Sequence, residues 1–320
     1  MGGVGQNHLM VASHIRALRV IGVAESHPAP RLLQYLAVPL HRDWRALIAD
    51  DTLDAVSICL PHHLHAEVAI AALQAGKHVL LEKPIADTWR NSQRIVAAAR
   101  VAKRTLMIEM THRFYAPVQQ AQEFVRSGRL GRIYAVEDRI IQRTPRFALP
   151  RWIYERKKAG GGVAITNGIH MLDRIAFVCG QPLRFLDGTA GWTQRLGDIE
   201  DTASMQLELA DGAPVHLLAA WPVGDKALDD ELTVYGARGT VRVWAWRGWR
   251  FESIKGVTRE VSCHAGAADP GTRSRLGMGA ALREFASAIL ERREPNPTAR
   301  EVLAAQEIIE QFYRRAGRKP

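Results

Sequence analysis

The chain has 320 residues, 47% of them apolar and 24% charged, with a formal net charge of +10; that length exceeds what one hydrophobic core usually spans, so two domains, or one domain with a large appendage, are expected. No apolar run approaches the roughly 18 residues that cross a bilayer, no basic-then-apolar leader opens the chain, and three scattered cysteines, Cys59, Cys179 and Cys263, exclude a disulfide framework and a C-x-x-C zinc site. The basic balance invites nucleic acid, but the arginines are spread along the chain, the one dense cluster being Arg314, Arg315, Arg318 and Lys319, and no recognised nucleic-acid-binding motif is present. The expected setting is therefore cytoplasmic, with neither nucleic acid nor membrane as a partner and no bound metal.

In chain order, Met1-Gly2-Gly3-Val4-Gly5 comes first. Gly2 and Gly5 fit the second and third glycines of G-x-G-x-x-G, which admit a pyrophosphate and allow close helix packing. A helix with Leu9, Val11, Ile15 and Leu18 on its apolar face follows, its amino end directed at phosphate. The strand over 19–24 ends in Glu25, about 20 residues past the glycines. A carboxylate there accepts hydrogen bonds from the adenosine ribose and repels a 2′-phosphate, which favours NAD over NADP, with Arg31 the one nearby residue pointing the other way. A helical segment over 30–36, a short piece over 38–40 and a helix capped by Asp43 come next. The strand over 54–60 runs into Pro61-His62-His63-Leu64-His65 and a helix over 67–73. With no acidic or sulfur partner near in sequence, these histidines are read as lining the cofactor edge of the sheet, His65 opening the helix.

His78-Val79-Leu80-Leu81-Glu82-Lys83-Pro84 is an apolar run that stops in a charged pair fixed by proline. It reads as a buried parallel strand delivering Lys83 to the cleft where such sheets bind ligands, with Pro84 keeping Lys83 out of the helical region. A helix over 89–102 and a strand over 106–110 complete an alternation that marks a doubly wound parallel sheet. Such a sheet needs a first strand running into the glycine turn, and without it two neighbours would lack backbone partners. The expectation is that roughly 8 to 12 further residues precede Met1 and supply it.

From about residue 114 the pattern changes. A helix over 116–126 is followed by strands over 133–141, 183–193, 202–209, 214–220, 231–235 and 240–246, then helices over 280–291 and 299–315. This predicts an α+β domain with a mainly antiparallel open sheet, and hence domains over 1–113 and 114–320. Within it, Gly160-Gly161-Gly162 would let the backbone approach something bound. The helix after it places Thr166, His170 and Asp173 near one face.

The sequence resembles the Gfo/Idh/MocA oxidoreductases over essentially its whole length. The carriers are Gly2 to Gly5 with His8, Ser57-Ile58-Cys59-Leu60-Pro61 with His65, Ala75-Gly76-Lys77-His78 through Pro84, Arg113-Phe114, and Gly160 to Asp173. The resemblance implies a Rossmann domain, an α+β domain whose open sheet forms dimer or tetramer contacts, and nicotinamide-dependent oxidation or reduction of sugars, cyclitols or related polyols. It implies Lys83 as active-site lysine, His170 as proton-handling histidine, and cofactor-lining roles for Gly2, Gly3, Val4, Gly5, Leu60, Pro61, His65, Glu82 and Lys83, with Glu25 on the ribose. Thr166 stands where many members carry aspartate, but Thr166 and Asn167 can still hydrogen-bond a substrate hydroxyl. Arg113 and Trp152 are candidates for shaping the substrate pocket or for purely structural roles. Two other readings share the fold: an NAD-retaining glycosidase or dehydratase, and a catalytically idle NAD-binding regulator.

Overall fold

The computed structural model describes residues 2–28, 38–225, 227–262 and 270–317; the helix expected over 30–36 lies outside them. Helix α1 (Gly3–Ala12) leads to β1 (Val23–Ala24), which pairs in parallel with β2 (Leu40–His41). Helix α2 (Trp44–Ile48) is capped by the Asp43 side chain, which accepts from the Arg45 N–H. β3 (Ala55–Ile58), β4 (His78–Glu82) and β5 (Leu106–Glu109) form a second parallel sheet, connected through α3 (His62–Gln74) and α4 (Trp89–Ala102). The parallel sheet is thus in two pieces, and no described strand pairs with the free edge of β1 or β3.

Period-2 alternation decides what covers each face of this sheet. Val79, Leu81, Leu106 and Ile108 pack with Val68, Leu73 and Ile95 of α3 and α4. Leu80 and Met107 point the other way, against Met278, Leu282 and Phe285 of helix α8 (Pro270–Leu290). A helix near the end of the chain therefore completes the core of the first half.

The second sheet has eight strands in the order β13-β12-β11-β10-β6-β9-β8-β7. They are β6 (Ile133–Arg143), β7 (Leu183–Gly191), β8 (Thr202–Leu209), β9 (Pro214–Ala220), β10 (Ala227–Gly236), β11 (Gly239–Trp244), β12 (Gly248–Ser253) and β13 (Gly256–Ser262). All pairs are antiparallel except β6 with β9. The inner face carries Val136, Ile140, Met205, Leu207 and Val234, packed on Val118 and Phe124 of α5 (Ala116–Arg126), Leu172 and Ile175 of α7 (Ile169–Cys179), which follows the one-turn helix α6 (Arg156–Ala159), and Ile309 and Phe312 of α9 (Ala299–Arg315). The outer face carries charged ladders such as Glu231, Arg242, Glu252 and Arg250.

β12 and β13 extend the sheet beyond the sequence expectation. Trp249 and Phe251 alternate inward with half-buried Arg250 and Glu252, a period-2 pattern the sequence reading did not assign. Among the described residues no helix is long and apolar enough to cross a membrane.

Candidate active site

Lys83 stands at the carboxyl end of β4, before a cis peptide to Pro84. Its Nζ donates to the Thr166 carbonyl at 2.8 Å. That carbonyl belongs to a single π-helical turn, Ala164–Gly168, which runs directly into α7, and such turns often mark functional sites. His170 lies four residues on, one helical turn from the Lys83 contact. An amine from the parallel sheet and an imidazole from the second half therefore share one space. Burial lowers the pKa of the Lys83 amine below its ordinary 10.5, with Glu82 opposing it.

The π turn is held by Glu200. This fully buried carboxylate accepts from the N–H groups of Gly162 at 2.9 Å and Ala164 at 3.0 Å, and from the Tyr313 hydroxyl at 2.8 Å. The three glycines before it serve the protein's own packing rather than a ligand, a correction to the sequence reading. A Cβ on Gly160, Gly161 or Gly162 would stand 2.2 Å from the Asp87 carbonyl oxygen, 1.8 Å from the Tyr313 hydroxyl or 1.9 Å from the Glu200 carbonyl oxygen.

Two further histidines complete the cluster: His62, read from sequence as lining the cofactor edge, and His112, which the sequence did not single out. His62, the first residue of α3, places Nδ1 2.7 Å from the Ala159 carbonyl and packs edge-on against Trp152 at 4.7 Å. Burial, then His65, Lys83 and His63, hold its pKa down to about 3, so the ring is neutral. His112, in the 3-10 turn Thr111–Phe114, stacks on His170 with centroids 4.4 Å apart and planes 8° apart. Behind them Arg174 is buried between Asp138 and Asp230. Burial pushes Asp138 up to about 6 despite this arginine.

The cofactor side is built at α1. Gly2 and Gly3 lie at its amino end, where an added Cβ would meet nothing within 4 Å, and Gly5 is buried. Open space over backbone N–H groups at a helix start fits a phosphate. Glu25 ends β1, its carboxylate accepting from the His27 N–H at 2.9 Å. Behind the glycines His8 is buried, with Nδ1 2.8 Å from Ser57 Oγ and Nε2 3.2 Å from Glu82 Oε1. Nε2 also lies 2.9 Å from Glu109 Oε2, but off the hydrogen-bond axis, and neither oxygen of this fully buried carboxylate has a hydrogen-bond partner. One histidine and two glutamates this close could hold a metal. Although burial opposes protonation of His8, Glu109, Cys59 and Glu82 raise its pKa well above 6.5, so its imidazolium already supplies the counter-charge.

Burial pushes Glu109 up to about 7 even against His8. From about pH 5 to about pH 7 the folded chain therefore keeps a proton that the unfolded chain has lost, and stability falls as pH rises through that window. Glu109→Gln should flatten that fall in a thermal-unfolding series. A variant with the parent's slope would show that Glu109 does not titrate there.

Several residues take other places than the sequence suggested. His65 does not line an open edge: it is fully buried, its ring nitrogens 2.9 Å from the Leu60 carbonyl and 3.0 Å from the Pro84 carbonyl. It ties the Leu60–Pro61 bend to the turn that carries Lys83, one turn inside a helix that opens at His62. Arg113 does not face a substrate either. Its guanidinium is buried on Asp173, at 2.7 and 2.9 Å, and on Asn296 at 2.8 Å. The Asn167 side chain turns to the second sheet, accepting from Trp221 Nε1 at 2.9 Å and donating to Gln142 at 3.1 Å. Thr166 presents its carbonyl to Lys83, while its hydroxyl is buried without a hydrogen-bond partner.

A family model described as "Oxidoreductase family, NAD-binding Rossmann fold" matches residues 1–110, and one described as "GFO/IDH/MocA C-terminal domain" matches 118–242. The chain belongs to the Gfo/Idh/MocA oxidoreductase family. It is 30% identical over 331 aligned positions to a protein of Amycolatopsis mediterranei that carries the name of a UDP-kanosamine synthase oxidoreductase subunit, covering 93% of this chain and 88% of that one. Levoglucosan dehydrogenase of Pseudarthrobacter phenanthrenivorans is 32% identical over 142 residues, a stretch spanning 43% of this chain and 36% of that protein. In fold, the chain is similar to a levoglucosan dehydrogenase solved with NADH, with TM-score 0.87 and 21% identity over 98% of this chain and 94% of the other.

Proposed function

We propose that the chain is an NAD-dependent dehydrogenase acting on a secondary alcohol of a sugar, cyclitol or related polyol. The observation that carries this is the Lys83 Nζ contact to the Thr166 carbonyl, which sets the amine beside His170 at the junction of the two halves. Gly2, Gly3, Val4 and Gly5 at the start of α1 would hold the pyrophosphate, Glu25 the ribose, and Leu60, Pro61, Glu82 and Lys83 the nicotinamide end. Bound NAD supplies the hydride acceptor. A positively charged nicotinamide held there would add to the burial that keeps the Lys83 amine below its ordinary pKa. His170 takes the alcohol proton, which must leave as the carbonyl forms. Its pKa is held well below 6.5 by burial, then by His112, Lys83 and Arg174, so the ring is neutral and free to accept. Lys83 hydrogen-bonds the same oxygen and stabilises the charge that develops on it.

The relatives named above act on sugars by their names, which supports that substrate class. On this reading the chain divides into a cofactor domain over 1–113 and a substrate domain over 114–320. It works in the cytoplasm as a dimer or tetramer built on the polar outer face of the eight-stranded sheet. Trp152, beside His62, forms a wall for a sugar ring. Trp152→Ala should raise KM roughly tenfold by removing a stacking face while kcat changes little; a lowered kcat at constant KM would place Trp152 elsewhere in the mechanism. The deciding experiment is NADH formation against a panel of sugars and cyclitols. Steady accumulation supports a net oxidation. Turnover without it indicates redox-neutral chemistry, and binding without turnover indicates a regulator.

A further inference from the structure

The face-to-face contact of His112 with His170, at 4.4 Å and 8°, is not used by the mechanism above. His112 is buried and His170 half-buried, and Nδ1 of each is buried without a hydrogen-bond partner. The carboxylate or carbonyl that commonly fixes a working imidazole is thus missing from His170, and another ring lies flat against it instead.

We propose that His112 is a positioning residue for the proton transfer at His170: its stacked ring sets the plane of the His170 imidazole, and the pair can carry only one proton between them. This rests on the reading of His170 as the proton acceptor. Three facts support it. Stacking restrains the tilt of a ring that no hydrogen bond orients. Two imidazolium ions this close in a buried site repel strongly. The remaining charged neighbours are also cationic: Lys83 from β4 and Arg174 from α7 face His170, and the same two face His112, together with the Tyr115 ring. Because N–H bonds lie in the ring planes, no proton passes across the stack. His112 therefore acts on orientation and charge rather than as a relay. Burial, then Arg174 and Lys83, also hold the His112 pKa well below 6.5, so the resting pair is neutral.

The test compares His112→Phe, His112→Ala and His170→Ala in NADH formation over a pH series, with thermal unfolding and NAD affinity measured on each. His112→Phe keeps an aromatic face but removes the second protonation site. In the parent one proton is shared between the two rings, so only part of the acid limb of kcat/KM titrates His170; removing the second site should steepen that limb and move the half-activity point up by roughly half a unit. His112→Ala loses the stack, and kcat should fall at least about tenfold with little change in KM. A His112→Phe profile superimposed on the parent's, with His112→Ala within about twofold of parental kcat, would overturn the proposal. Should His112→Ala fail to fold, the His112→Phe profile decides alone. If His170→Ala keeps its turnover, the acid–base reading fails and this inference with it; if it is inactive while His112→Phe changes nothing, only this inference fails.

Discussion

Lys83→Met is expected to lower kcat by about 10²- to 10⁴-fold, the usual weight of a group that handles or stabilises charge at the reacting oxygen. The fold should tolerate the change. The lysine stem is replaced by an apolar chain of similar length, and an amine whose pKa is depressed first by burial contributes little stability of its own. The melting temperature should therefore hold or rise. NAD affinity should fall by no more than a few-fold, because Lys83 borders only the nicotinamide end and its amine reaches across to the Thr166 carbonyl of the second half, while the glycines at the start of α1 keep the pyrophosphate. The three readouts together separate lost chemistry from lost structure. Unchanged turnover in a folded variant that binds NAD would remove Lys83 from the reaction and end the proposed mechanism.

Why the strand end at Lys83 and the helix bearing His170 could be read from sequence, while the surroundings of Arg113 and His65 could not, follows from what local patterns encode. A strand running into Glu82-Lys83-Pro84 announces its own end, and a helix with polar groups at i and i+4 announces its own face. Both signals survive folding because they depend on neighbours within a few residues. The partner of a buried donor carries no such signal. Arg113 meets Asp173 sixty residues away, and nothing near either one says that the guanidinium is already engaged. His65 was assigned to the cofactor edge of the sheet because no metal-ligating partner lies near it in sequence, yet its ring reaches the Pro84 carbonyl, nineteen residues further on. The His112–His170 stack was invisible for the same reason, since His112 precedes Arg113 in an irregular turn without periodicity. A cue did exist for the cluster behind α1. A glutamate, Glu109, ends an otherwise apolar strand, and a buried carboxylate needs a counter-charge or a proton, which His8 supplies.

The glycine run offers the second large effect, and its cause is packing rather than ligand approach. Gly162→Ala would place a Cβ 1.9 Å from the Glu200 carbonyl oxygen and 2.9 Å from its carbonyl carbon. These are backbone atoms, so relief requires moving the chain that brings Glu200 to the Gly162 and Ala164 N–H groups. The expected cost is about 2 to 4 kcal/mol, from overpacking together with loss of buried charge-assisted hydrogen bonds. The π turn with Thr166, and then His170, would shift with it, so turnover should collapse in whatever fraction remains folded, while NAD binding at the distant α1 end persists. Gly168→Ala, six residues along the same segment, is the matched control: its Cβ would meet nothing closer than 3.8 Å and the position is helical. Replacing glycine by alanine there should be neutral or stabilise by up to about 1 kcal/mol. Thermal unfolding and NADH formation on the pair distinguish the two origins of a glycine. Equal melting temperatures would show that the chain around Glu200 yields freely and that Gly162 is not required by its neighbours.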